Sequence, residues 1–265
     1  MKYCRFDEQD QPQYGLVEER DGELWLTAVL ASPREADVAS QSSYSFQPKA
    51  LRDLMLLPPV TPSKIICVGR NYRDHAKELG NEVPAEPLLF FKPPSSLLAA
   101  GGTIRLPKVA ERVDFEGELA VVIAKRARKL RPGDDIRPYI QGLTLANDVT
   151  ARDLQKKDGQ WTRAKGFDTF CPVGPIVDTD MDITAPLTVE THLNGELRQR
   201  GSTADFIFGL PQLLQYITAA ITLEPGDLLL TGTPAGVGPL AAGDVVEVSI
   251  AGLGRLANCV QPEES

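Results

Sequence analysis

Apolar residues in this chain fall in short runs and alternating stretches separated by turn residues, a rhythm of strands with few helices. Near the start, Gln13-Tyr-Gly-Leu-Val-Glu-Glu and Glu23-Leu-Trp-Leu-Thr-Ala-Val flank Asp21-Gly22, which predicts a hairpin. Residues 40–45 are polar and read as a linker. Residues 51–57 predict a short helix before the prolines at 58, 59 and 62. A boundary is therefore expected near residue 60. It separates a small N-terminal β module and linker (1–59) from a main domain (60–265).

The main domain opens with a buried-looking strand at 64–69. A short helix over 71–80 follows, capped by Asp74 and stopped by Gly80. Further strands are predicted at 88–92, 118–124, 140–147, 187–193, 227–232 and 244–250. Pro225-Gly226-Asp227 and Ala242-Gly243-Asp244 lead into the last two through turns. One helix is expected over 151–157, halted at Asp158-Gly159. Another carries Leu210, Leu213, Leu214, Ile217 and Ile221, a spacing that lays one face on a core. No repeat of solenoid length is present.

Composition narrows the class. The 265 residues, with 42% hydrophobic and 24% charged, can bury a substantial core. The 22 glycines and 21 prolines favour a turn-rich β architecture over a helical bundle. Net charge is −8, and the densest basic stretch, Lys125 to Arg131, reads as a solvated strand end. A nucleic-acid partner is not expected. The four cysteines are far apart with no Cys-x-x-Cys pair, against a zinc ribbon or redox motif. Neither a leader nor a membrane-spanning stretch is read, so the expected setting is cytoplasmic.

The candidate chemistry centres on Glu116-Gly117-Glu118 and Asp148. Residues two apart on a strand project to one side, so the two glutamates would face one point. Three carboxylates converging there suit a hard divalent cation; alternatively the acids face solvent and Asp148 caps the next helix. His75 and Glu78 share a helix face, which suits an oriented general base or a chance surface pair. His192 lies in a strand pattern and reads as structural. Lys165 offers a point charge to an oxyanion or sits on a loop. The loop Thr231-Gly-Thr-Pro-Ala-Gly-Val-Gly238 lacks the nucleotide phosphate-loop pattern, but its amides and Thr233 suit a carboxylate.

Five segments, in order, carry a resemblance. They are Val68-Gly-Arg-Asn-Tyr-Arg-Asp-His75, Asp114-Phe-Glu-Gly-Glu118, Asn147-Asp-Val-Thr-Ala-Arg-Asp153, Ala164-Lys-Gly-Phe-Asp-Thr169 and Leu230-Thr-Gly-Thr-Pro-Ala-Gly-Val-Gly238. Over roughly residues 60 to 255 the chain resembles the fumarylacetoacetate hydrolase family. Its short N-terminal region is like that of the smaller bacterial members. The resemblance implies an α+β, β-rich fold: a mixed β-roll core of the fumarylacetoacetase C-terminal type behind the small N-terminal β module. It implies a divalent metal, Mg²⁺ or Mn²⁺ with Ca²⁺ as a third option, held by Glu116, Glu118 and Asp148. His75 and Glu78 match a catalytic dyad on a lid spanning about 70–92, with Lys165 as a third catalytic group. Arg70, Arg152, Gln155 and Thr233 match substrate contacts, and a homodimer is usual.

The expected substrate is a small anionic oxo acid. Hydrolysis of a C–C bond in acylpyruvate-type 2,4-dioxo acids is expected first, because the His75/Glu78 pair suits water activation. Decarboxylation of oxaloacetate-type acids and isomerisation of 2-hydroxyhepta-2,4-diene-1,7-dioate-type dienes are the alternatives. From another class, a non-catalytic, metal-containing binding protein is the rival.

Overall fold

The continuous apolar runs exist because the central sheet is buried on both faces. The computed structural model describes residues 1–33, 47–78, 80 and 82–264, so the linker read at 40–45 lies outside them. In the strand Gly117–Ile123 every residue is buried. Leu119, Val121 and Ile123 enter one core, whereas Ala120 and Val122 enter another on the opposite face. Ile65–Gly69 splits the same way, with Ile66 and Val68 to the first core and Ile65 and Cys67 to the second.

This sheet has 12 strands among the described residues. Its main path runs Lys49–Ala50, Glu23–Leu30, Pro12–Arg20, Lys2–Asp7, Cys171–Asp178, Ile140–Asn147, Gly117–Ile123, Leu228–Leu230, Ile65–Gly69 and Leu88–Lys92. Neighbours on this path are antiparallel except Leu228–Leu230, which runs parallel to Ile65–Gly69. A five-stranded sheet, ordered Glu196–Ser202, Thr188–Leu193, Val245–Ile250, Gly254–Pro262 and Thr103–Leu106, packs across the first core. A small three-stranded sheet joins Thr150–Ala151, Val113–Phe115 and Gly238–Pro239. The fold is α+β and β-rich, as expected.

Four α-helices complete the described residues: α1 (Arg73–Glu78), α2 (Arg152–Asp158), α3 (Thr162–Gly166) and α4 (Leu210–Ala220). Leu210, Leu213, Leu214 and Ile217 of α4 are buried in the first core, as their spacing predicts. The N-terminal hairpin forms as read, with Asp21 (φ 51°) and Gly22 (φ 80°) both left-handed at its turn.

Some local expectations fail for identifiable reasons. Residues 51–57 form a single 3₁₀ turn, Leu51–Asp53, followed by the strand Met55–Leu57, which pairs with Lys2–Asp7. One turn of helix is marginal by itself, and an open sheet edge takes the apolar residues instead. Helix α1 starts at Arg73, so Asp74 lies within its first turn and is not its cap. The fully buried strand Cys171–Asp178 was not foreseen, because Pro172 and Pro175 argue against a central strand.

Candidate active site

The site lies where the central strands run out. In the ladder, Gly117 is opposite Asn147 and Glu118 opposite Ala146. One step further the Asp148 amide donates to the Glu116 carbonyl at 2.8 Å, which puts Asp148 across from Glu116. The chain leaves one sheet at Phe115 and joins the other at Gly117, so Glu116 sits at the break, not inside a strand. The alternation survives that break. Glu116 and Glu118 project to one side, while Gly117 faces the five-stranded sheet so closely that a Cβ would lie 2.1 Å from Thr191 Oγ1. Ligand oxygens of Glu116, Glu118 and Asp148 all come within 4.8 Å of one another, and all three residues are buried.

Cations hold this cluster. Lys165 donates to Glu116 Oε2 at 2.9 Å and to Asp148 Oδ2 at 2.5 Å. Arg152 binds Glu116 Oε1, Asp114 Oδ2 (2.9 Å) and Gln155 Oε1 (2.9 Å). Lys92, which the sequence reading did not single out, donates to Asp148 Oδ1 at 2.7 Å. Burial pushes the Glu116 carboxyl up, but Lys165, Arg152 and His75 outweigh it and hold it below the usual range. Burial likewise works against the Lys165 ammonium, yet Asp148 and Glu116 raise its pKa above the ordinary value, so it stays charged. Lys165 lies on α3, not on the loop considered for it, and Asp148 is occupied by two lysines and caps no helix.

Glu118 differs. The Gly232 amide donates to its Oε2 at 2.7 Å, and no cation forms an ion pair with it among the described residues. Burial first, then the charges of Asp148 and Glu116, push its pKa well up. A buried carboxylate facing two like charges is what a cation site presents when its cation is left out of the balance.

Helix α1 brings the dyad in from the other side. His75 is buried, and its Nδ1 lies 3.3 Å from Glu78 Oε2. The Gly236 amide donates to Glu78 Oε1 at 3.0 Å, tying α1 to the glycine-rich loop. In that loop, Thr233 donates its hydroxyl to the Gly117 carbonyl at 2.8 Å.

All ten residues singled out from the sequence line one cavity of about 420 Å³: Arg70, His75, Glu78, Glu116, Glu118, Asp148, Arg152, Gln155, Lys165 and Thr233. Phe90 and Trp161 form its apolar wall, their rings 5.1 Å apart and edge to face. Gly69 admits that indole, since a Cβ there would meet Trp161 at 2.9 Å. Arg70 holds a left-handed backbone (φ 57°) at the rim. Neither Arg70 nor Lys156, also on the lining, has an ion-pair partner among the described residues. The buried acids other than Glu118 pair with Lys92, Arg112, Arg152 and Lys165, which leaves the charges of Arg70 and Lys156 on the lining outside those pairs.

Inside a β-rich α+β fold, three buried carboxylates that could hold a metal ion thus share a polar cavity with the His75 imidazole. The chain belongs to the fumarylacetoacetate hydrolase family: the family's C-terminal domain, Fumarylacetoacetate (FAA) hydrolase C-terminal, matches residues 64–261. It is 42% identical over 223 residues to an oxaloacetate tautomerase of Bacillus subtilis, covering 79% of this chain and 74% of that protein. It is 45% identical over 203 residues to a mitochondrial oxaloacetate decarboxylase of Dictyostelium discoideum, covering 73% and 91%. The solved structure of a 2-hydroxyhepta-2,4-diene-1,7-dioate isomerase from Mycobacterium marinum superimposes with a TM-score of 0.85, at 39% identity and 100% coverage of both chains. Family and fold thus agree with the resemblance seen in the motifs. Among the described residues, no helix is long and apolar enough to cross a membrane.

Proposed function

We propose that this chain is a divalent-metal-dependent enzyme that moves a proton at the carbon beside the 2-oxo group of a small oxo diacid of the oxaloacetate type. The observation that carries this reading is the placement of His75, the three carboxylates and Lys165 on one cavity of about 420 Å³ with Arg70 and Lys156, two cations that have no ion-pair partner among the described residues. Two relatives named for oxaloacetate chemistry, at 42% and 45% identity, support the substrate class. Glu116, Glu118 and Asp148 would hold Mg²⁺ or Mn²⁺; their hard oxygens and the unbalanced charge at Glu118 fit such an ion. The bound cation supplies Lewis-acid polarisation of the 2-oxo group.

The chain's own groups do the rest. Arg70 and Lys156 attract the dianion, and the Phe90–Trp161 wall limits its width. Glu78 accepts from His75 Nδ1–H, leaving Nε2 free to take the proton from C3. The electron pair moves onto the 2-oxo oxygen, where Lys165 meets the developing charge. Return of the proton to oxygen gives the enol, completing a tautomerisation. When the C3–C4 bond breaks instead, CO₂ leaves and the bonding electrons pass through C2–C3 onto the 2-oxo oxygen, where Lys165 again meets the charge. The pyruvate enolate so formed then takes a proton at C3 to give pyruvate.

C–C hydrolysis, placed first on the sequence, becomes the second reading. The His75–Glu78 pair that favours it would activate water equally well. An assay with Mg²⁺ separates them: enol–keto exchange and pyruvate release from oxaloacetate, against cleavage of an acylpyruvate. Faster oxaloacetate conversion, lost in His75→Ala, supports the proposal. Acylpyruvate cleavage without it replaces the proposal with hydrolysis, and inertness toward both overturns the substrate class.

A further inference from the structure

The strand Glu196–Ser202 exposes Glu196, Leu197, Arg198 and Arg200, yet Gln199 between them is fully buried. Its side chain reaches across the layer to the segment carrying the two glutamates. Gln199 Oε1 accepts from the Gly117 amide at 3.0 Å. Its Nε2 donates to Thr233 Oγ1 at 2.8 Å and to the Pro234 carbonyl at 2.7 Å. Thr233 in turn donates to the Gly117 carbonyl at 2.8 Å. The amide and the carbonyl of Gly117 are thus both gripped, one by Gln199 and the other by the residue Gln199 holds. Gly117 has no side chain of its own to fix its plane, and its torsions set the separation of the Glu116 and Glu118 carboxylates.

The same strand supports the glycine-rich loop. A Cβ on Gly236 would lie 2.1 Å from the Arg198 carbonyl oxygen and 3.2 Å from Gln199 Cα, so the loop rests on this backbone. Gly236 is also the residue whose amide meets Glu78. Gln199 therefore stands at the joint between the carboxylates and the loop that receives the dyad.

We infer that Gln199 is a positioning residue: by clamping the Gly117 peptide and Thr233 together it sets the bite of Glu116 and Glu118 on their cation. The inference rests on those glutamates being cation ligands. It lies outside the cavity lining and touches no substrate, so its effect must show in metal affinity without substrate. Groups that orient metal ligands typically change affinity by about 10–100-fold when removed.

The test is Mn²⁺ binding, followed by the electron paramagnetic resonance of the free ion, on the full chain. Gln199→Met keeps length and volume while deleting every hydrogen bond; Thr191→Val is the packing control. Thr191 pairs with Gln199 and presses on the same Gly117, but its buried hydroxyl makes no hydrogen bond among the described residues. The expected result is at least a tenfold loss of affinity in Gln199→Met and a change under twofold in Thr191→Val. Thr233→Val should lose at least threefold, and the double variant Gln199→Met/Thr233→Val little more than the worse single. Thr233→Val carries the test if Gln199→Met does not fold. Unchanged affinity in folded Gln199→Met, an equal loss in Thr191→Val, or unchanged affinity in Thr233→Val where Gln199→Met fails to fold, overturns the inference. A wild-type protein that binds no Mn²⁺ overturns instead the ligand assignment beneath it.

Discussion

Lys92 reaches Asp148 from behind the site, its Nζ 2.7 Å from Oδ1, with both residues 1% exposed or less. Lys92 does not line the cavity, whereas Lys165 on the other carboxylate oxygen does. The two lysines thus differ in place: Lys92 is a buried counter-ion behind the site, and Lys165 faces the cavity. Lys92→Met should therefore leave Asp148 Oδ1 without its donor, with Lys165 still on the other oxygen, and destabilise the fold by about 1–3 kcal/mol. Adding Asp148→Asn should restore most of that stability but not metal binding. Urea denaturation and calorimetric titration with Mg²⁺ check the two halves, and an additive loss in the double variant would contradict the pairing.

Glu118 presents the opposite case, a buried carboxylate with like charges as neighbours and, among the described residues, only the Gly232 amide as a close partner. Glu118→Gln keeps an oxygen for that amide while removing the repulsion. In protein stripped with EDTA, this variant should melt about 2–4 °C higher, roughly 1 kcal/mol for a chain of this size. Added Mg²⁺ or Mn²⁺ should raise the wild-type midpoint and leave that of the variant unmoved. A destabilised, metal-responsive Glu118→Gln would remove Glu118 from the ligand set.

The cavity was legible in the sequence where its signal is local. Two-residue alternation placed Glu116 and Glu118 together, and the three-residue helical step placed His75 beside Glu78. Lys92 and Gln199 escaped because their meaning lies in partners distant along the chain. Nothing in Leu88-Leu-Phe-Phe-Lys92 says that Asp148 waits at the strand's end, and a polar strand such as Glu196–Ser202 reads as wholly solvated. The same holds for the N-terminal strands, whose pairing of Lys2 with Asp178 depends on a proline-bearing strand that local pattern argues against.

The dyad should separate chemistry from binding. His75→Ala removes the proposed proton acceptor but none of the carboxylates, so turnover should fall by about two to four orders of magnitude. Mn²⁺ affinity should remain within about twofold. Glu78→Gln should cost less, because it keeps an acceptor for the Gly236 amide and loses only the charge beside the imidazole. Steady-state rates with oxaloacetate, measured alongside metal titrations, distinguish this from a collapsed site, in which affinity would fall too.

Asp227 makes the fold itself sensitive to acid. Its side chain is fully buried at the start of Leu228–Leu230, where Oδ1 accepts from Ser63 N (2.9 Å), Ser63 Oγ (2.7 Å) and Lys64 N (3.1 Å). Its Oδ2 accepts from Glu224 N at 2.8 Å and pairs with Lys64 Nζ at 2.5 Å. Burial raises its pKa, but the Lys64 ammonium, the backbone amide of Glu224 and Ser63 outweigh that and hold it below its ordinary 3.8. A carboxyl depressed on folding adds stability that is complete above its unfolded pKa and is lost as pH falls through 3.8 toward the folded value. Asp227→Asn cannot accept from both Glu224 N and Lys64 with its amide group, so at neutral pH it should cost about 1–3 kcal/mol. It should also flatten the fall in thermal midpoint between about pH 5 and pH 3, since the proton that drives that part of the loss has no site to occupy. Melting curves of both proteins across this range decide the matter: parallel slopes would show that Asp227 is not the group responsible.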